Sequence, residues 1–172
     1  MPIIPDTKNW TWVLEAPCPQ CGFDASTFEA RSVPDMIQAN AQKWPAVLQR
    51  SDVAVRPDDS TWSALEYSAH VRDVFRVFAV RLGLILTEDD PLFPNWDQDE
   101  TAVDEHYDEQ DPAMVSAELA VAASVVADAF AAVPAEAWGR GGTRSDGARF
   151  TVTSMAKYFV HDPIHHLWDV RG

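Results

Sequence analysis

The stretch Trp62-Ser63-Ala64-Leu65-Glu66-Tyr67-Ser68-Ala69-His70-Val71-Arg72-Asp73 decides the fold of this chain. Ser63 and Glu66 stand three apart, the spacing of a capping box, in which a serine oxygen and a glutamate carboxylate satisfy the free N–H groups of a helix start reciprocally. A helix that begins here runs to about Thr87. Along it Tyr67, Val71, Val74, Phe78, Leu82 and Ile85 recur at the helical period and form one apolar stripe, as a bundle helix requires.

On either side the same signals return. Ser32-Val33-Pro34-Asp35 offers a cap with proline in the first turn, so a helix is expected from there to about Arg50, ended or kinked late by Pro45. Asp111-Pro112 is a second start of that kind, and the Ala- and Val-rich run from Ala113 to Val133 predicts a helix buried on more than one side and stopped by Pro134. Gly139 to Gly147 predicts a turn or short hairpin arm. A last helix is expected from about Thr153 to Val170, with Val152, Met155, Ala156, Phe159, Val160 and Leu167 on its stripe. These readings give an all-α chain of four antiparallel helices, a bundle of the kind that builds ligand sites in its core. Residues 1–31 are expected as an N-terminal arm and residues 32–172 as the bundle.

The chain has 172 residues, 27 of them acidic and 13 basic, for a formal charge of −14. Residues 88–111 hold eleven of the acids and no Lys or Arg, so the other 148 residues carry 16 acids and 13 bases, a net of −3. The protein is a nearly neutral body with one very acidic connection. Such a balance argues against nucleic acid and anionic membranes as partners, because both are held through Lys and Arg. Met1-Pro-Ile-Ile-Pro-Asp6 has neither the basic start nor the apolar run of a signal peptide. The most apolar stretch, Leu119 to Val133, is short for a membrane span. Two cysteines do not make a secreted disulfide framework, and the expected location is cytoplasmic.

Histidine carries the chemistry. His70 lies in the second helix and His106 in the acidic connection, while the last helix ends His161-Asp162-Pro163-Ile164-His165-His166-Leu167-Trp168-Asp169-Val170. Residues four apart share a helix face, so two pairs are available: His161 with His165, and Asp162 with His166. On a regular wheel the first pair points away from the apolar stripe, toward solvent, and the second flanks it. His70 also borders its stripe, next to Glu66. Two helices packed stripe to stripe would bring His70, Asp162 and His166 together. Two imidazoles and a carboxylate suit zinc, nickel or iron(II) and leave open positions for water or substrate. Asp169 and Glu66 are candidate partners for the ring N–H groups, and Pro163 is expected to bend the helix.

The Trp62–Asp73 segment and the closing His-Asp-x-x-His-His-Leu-x-Asp-Val run resemble the DinB superfamily, and more narrowly its actinobacterial mycothiol-dependent branch, similar to the metal-binding domain of maleylpyruvate isomerase. The likeness spans about Ser32 to Val170. It implies a four-helix bundle of up-down-down-up topology, often a homodimer, with a divalent metal held by one residue of the second helix and two of the last. It implies transfer or isomerisation of a small electrophilic substrate, with a low-molecular-weight thiol such as mycothiol as co-substrate. In that branch the last-helix ligands are a carboxylate and a histidine four apart, with an aspartate three residues beyond; Asp162, His166 and Asp169 match that spacing. Other members use two histidines, which here would be His161 and His165. Both the wheel and the trailing aspartate favour His70, Asp162 and His166 as the metal ligands, with zinc or nickel as the metal. The alternative is a non-catalytic bundle that binds a metal or small molecule in the same pocket.

Two further segments stand out. Cys18-Pro19-Gln20-Cys21-Gly22 is half of a zinc ribbon, but no second cysteine pair exists to complete four ligands. It reads as a tight turn with reduced thiols packed by Trp10, Trp12 and Phe23; recruitment of a distant His or Asp is the lesser alternative. Pro91-Leu92-Phe93-Pro94-Asn95-Trp96-Asp97 reads as a loop pinned by Phe93 and Trp96, with a lid that gives Trp96 or Asp97 to the pocket as the other reading.

Overall fold

The computed structural model describes residues 9–172, so the reading of the first six residues lies outside it. Its helices are α1 (Val33–Ala41), α2 (Trp44–Leu48), α3 (Ala64–Thr87), α4 (Gln98–Asp104), α5 (Pro112–Ala131) and α6 (Val152–Asp169). Three short strands, β1 (Leu92–Phe93), β2 (Gly141–Arg144) and β3 (Arg149–Thr151), form a small sheet in that order, β1–β2 parallel and β2–β3 antiparallel.

The local signals act where they stand. Ser63 Oγ accepts from the Glu66 N–H at 3.2 Å and Glu66 Oε2 from the Ser63 N–H at 2.8 Å, which closes the capping box of α3. Asp111 caps α5 by accepting from Ala113 and Met114, and Thr151 with Ser154 caps α6. Pro45 does more than kink the first helix: it opens α2, so that Gln42 and Lys43 separate two helices. Proline suits a helix start because it has no N–H to leave unsatisfied.

α1, α3, α5 and α6 make the four-helix bundle, with α5 and α6 each packed against both α1 and α3. Side-chain contacts give the directions. Arg72 and Glu118 meet near the starts of α3 and α5, so these two helices run parallel. Early α3 meets late α6 (His70 to Asp162) and late α3 meets early α6 (Phe78 to Phe159), so this pair is antiparallel. Asn40, at the end of α1, donates to the Pro163 carbonyl at 2.8 Å late in α6, while Lys157 donates at 2.8 Å to Ala25, ahead of α1. The topology is up-down-down-up, as the resemblance implies, with α3 and α5 as parallel neighbours. The 88–111 connection is long because it carries the chain back to the end of the bundle where α3 began.

That connection is structured. Phe93 is fully buried, and Gly142 lies so close that a Cβ there would meet Ile85, Phe93 and the Pro91 carbonyl at 3.0–3.2 Å. The fully buried Tyr107 donates to Asp73 Oδ2 at 2.6 Å. Arg72 and Arg76 add bonds of 2.9–3.0 Å to the same carboxylate. α5 is long and apolar enough to cross a membrane by length and composition, but Val115, Leu119, Ala123, Val126 and Phe130 are packed in the bundle core. Residues beyond the bundle also join that core: Val13, Cys18, Phe23, Ala25 and Ala30 are all buried in it.

Candidate metal centre

α3 and α6 cross where each bears its polar residues. His70, with no exposed surface, offers Nε2 to Asp162 at 3.2 and 3.3 Å from its two carboxylate oxygens. His166 Nε2 faces the same carboxylate at 3.7 Å. One donor atom from each of His70, Asp162 and His166 lies within 4.8 Å of the others. His70 Nδ1 and Asp162 Oδ1 are buried atoms with no hydrogen-bond partner among the described residues. Asp162 keeps 31% of its side chain exposed, so the carboxylate reaches from the pocket wall onto the two imidazoles. Burial pushes the Asp162 carboxyl up, but the opposing pull of His70 and His166 prevails and holds it down at about 2.

The residues around the triad orient it. Asp169 Oδ2 accepts from His166 Nδ1 at 2.9 Å, which fixes the tautomer and directs Nε2 toward Asp162. Trp96 lies flat on His70, rings 5.4 Å apart and 2° from parallel, and donates its indole N–H to Thr101 at 2.8 Å. Tyr67 covers His166 with rings 4.8 Å apart. Burial, then the charges of Asp169 and Glu66, keep its phenol protonated. The donor set of two imidazoles and one carboxylate, with one imidazole already held by an aspartate, fits a divalent zinc- or nickel-type cation.

Asp162 and His166 open on a cavity of about 340 Å³ whose walls also include Trp62, Tyr67 and Trp96 and, on one side, His161 and His165. It continues past Val74 and Phe78 to Arg81, eleven residues along α3 from His70 and so about 16 Å by helix rise. Arg81 is buried, lies over the rings of Phe78 and Phe93, and donates to the Pro94 carbonyl at 3.1 Å. Burial and then nearby Arg144 lower it to about 10, so it stays charged at neutral pH.

Several expected placements change. Glu66 does not reach His70; it is spent on the capping box and on a two-pronged ion pair with Arg56. Asp97 caps α4 by accepting from Asp99 and Glu100 instead of entering the pocket. The 91–97 loop is pinned as expected, and its Trp96 also forms part of the site wall. α6 continues through Pro163 without a break. His106 sits in a left-handed turn (φ 48°) after α4 and joins no donor cluster among the described residues.

The largest correction concerns His161 and His165. They do not face solvent: they are 4% and 7% exposed, because residues 10–23 pack over that face of α6. Trp10 lies 5.5 and 5.3 Å from the two imidazole rings, and Phe23 lies 5.0 Å from His161. Cys18 Sγ is 3.6 Å from His165 Nδ1. One donor atom from each of Cys18, Cys21, His161 and His165 lies within 4.8 Å of the others. The wheel fails because it treats an exposed face as one that nothing covers.

A sequence profile of the DinB superfamily matches residues 35–170. The chain belongs to the DinB superfamily. Among solved structures the fold is similar to YfiT from Bacillus subtilis, described as a probable metal-dependent hydrolase with an unusual four-helix bundle topology. That match has a TM-score of 0.68 at 19% identity and covers 82% of this chain and 83% of YfiT. No curated protein is significantly similar in sequence. For this DinB-superfamily chain the likeness fixes the bundle and its topology; the choice between the two donor clusters comes from its own residues.

Proposed function

We propose that the chain is a divalent-metal-dependent enzyme in which His70, Asp162 and His166 hold the metal, and a low-molecular-weight thiol of the mycothiol type is transferred to, or isomerises, a small electrophile. The observation that carries this reading is the convergence of three donors from two helices beside a cavity, with Asp169 holding His166 in the tautomer a metal ligand needs. A zinc- or nickel-type ion held there would supply a Lewis acid, which would favour the thiolate form of a thiol near neutral pH.

The chain's own groups do the rest. Two neutral imidazoles and one carboxylate leave a divalent site one positive charge from neutrality, which favours an anionic further ligand such as a thiolate. Trp62, Tyr67 and Trp96 exclude water from one side, and the Tyr67 hydroxyl, kept protonated, can donate a hydrogen bond but does not serve as a general base. At the far end Arg81, buried against aromatic rings and facing a carbonyl, suits a carboxylate on the substrate.

The same open site would accept water, and hydrolysis is the reading that YfiT's description favours. Turnover of carboxylate-bearing electrophiles, with mycothiol present and omitted, separates the two. Thiol-dependent turnover is expected. Equal rates without thiol would assign hydrolysis, and bound metal with no turnover of any electrophile would leave a binding protein.

A further inference from the structure

The second donor cluster lies outside the catalytic reading and has a different composition. Cys18 and Cys21 come from one tight turn, in which Gly22 N–H donates to the Cys18 carbonyl at 2.9 Å and Cys18 N–H to the Phe23 carbonyl at 2.8 Å. Gly22 closes this turn at φ 75°, a left-handed conformation that glycine adopts without steric cost. His161 and His165 come from one face of α6, a full turn apart. All four are buried or half-buried. His161 Nε2 is enclosed without a hydrogen-bond partner among the described residues. A buried imidazole nitrogen without a partner is costly, and here it lies in a cluster that also holds two sulfurs.

We propose that Cys18, Cys21, His161 and His165 form a closed, four-coordinate zinc site that fastens the N-terminal segment to the outer face of α6. Two sulfurs and two imidazole nitrogens make a complete tetrahedral set, and soft thiolates select zinc over harder divalent ions. Tetrahedral bonds of about 2.0–2.3 Å space their donors roughly 3.3–3.8 Å apart. Cys18 Sγ and His165 Nδ1 already stand at 3.6 Å, and no donor pair in the cluster lies beyond 4.8 Å. Binding converts both thiols to thiolates and releases their two protons to solvent. With four protein ligands no position stays open, so the site is structural. It holds in place the helix that carries Asp162 and His166.

Asp169 joins the two clusters. Its Oδ2 accepts from His166 Nδ1 at 2.9 Å, and its Oδ1 lies 3.8 Å from His165 Nε2. His165 therefore turns Nδ1 to the cysteines and Nε2 to Asp169, while His166 turns Nδ1 to Asp169 and Nε2 to the open triad.

The chain has only two cysteines, so sulfur–metal signals report this cluster alone. The test is cobalt(II) substitution of the chelator-stripped wild-type protein, read by its absorption spectrum, with thiol alkylation run in parallel. A thiolate-to-cobalt charge-transfer band with tetrahedral d–d intensity is expected at saturation. Both thiols should resist alkylation in zinc-loaded protein and react after chelation. A cobalt spectrum without a sulfur band, or thiols that alkylate equally fast with and without zinc, would overturn the proposal. Neither readout requires the His70, Asp162 and His166 cluster to be active. A Cys18→Ser, Cys21→Ser variant should lose the band while it still binds one cobalt at the triad.

Discussion

Two faces of one helix, one residue apart in sequence, carry the two donor clusters of this molecule. Asp162 and His166 look across to His70 on α3 and onto a cavity; His161 and His165 border the same cavity but are covered by Cys18, Cys21 and the aromatic residues around them. The first has three hard or borderline donors and room beside them, the second four donors including two sulfurs. Ligand number and type separate a site built to bind a further ligand from one built to hold the chain together. The helix is the same in both cases; what differs is the element laid against it.

Removal of metal should separate the clusters most sharply. Structural zinc contributes directly to folding free energy, and apparent binding energies of about 10–16 kcal/mol are typical of such sites. Chelation strong enough to strip both clusters is therefore expected to lower the thermal midpoint by well over ten degrees, followed by differential scanning calorimetry. In the Cys18→Ser, Cys21→Ser variant the same treatment should move the midpoint by only a few degrees. Equal shifts in the two proteins would erase the distinction.

His70→Ala should act on the other side of the comparison. Turnover is expected to fall about a hundredfold or more, since loss of even an outer partner of a metal ligand costs about 10–100-fold, while the thiolate–cobalt band stays unchanged. Asp169→Asn sharpens the link between the clusters. Metal affinity at the triad should fall about 10–100-fold by competitive chelator titration, with a smaller fall at the cysteine cluster, where His165 Nε2 is 3.8 Å from the carboxylate.

The smallest effect should come from a site distant from both. Tyr107→Phe removes the 2.6 Å bond to the Asp73 carboxylate and should cost about 1.5–3 kcal/mol in urea unfolding, with metal content unchanged. Burial raises the Asp73 carboxyl, but Arg72, Tyr107 and Arg76 outweigh it and hold the group below its usual range. A carboxyl with a lowered folded-state pKa contributes stability above its unfolded value, about pH 4, and loses it as pH falls through the folded value. In the Tyr107→Phe variant the folded-state value rises, so the acid-dependent loss should be smaller in total and complete at a higher pH than in the wild type.

The parts of this structure legible in the sequence are those decided within a few residues. Ser63 with Glu66 and Asp111 with Pro112 start their helices because the capping partners are three positions away or fewer. Asp169 holding His166 was legible for the same reason, being one helical turn distant. The parts not legible depend on distant chain. Cys18 meets His165 across 147 residues, and nothing in the periodicity of α6 says that a turn from the N-terminal segment will cover its polar face. Trp96 stacking on His70 likewise depends on how the acidic connection returns over the bundle end. The CxxC turn offers two sulfurs without a second cysteine pair, and the HxxxH pair offers two imidazoles off the apolar stripe; together they make the four-donor set that either alone leaves incomplete.

Counting metal tests the two-cluster assignment most directly. Protein purified without a metal-affinity tag and saturated with zinc should bind two zinc ions per chain. The His70→Ala, His166→Ala variant and the Cys18→Ser, Cys21→Ser variant should each bind one. A wild-type stoichiometry of one that either pair of substitutions abolishes, or of none at all, would contradict the assignment of separate open and closed sites to the two faces of α6.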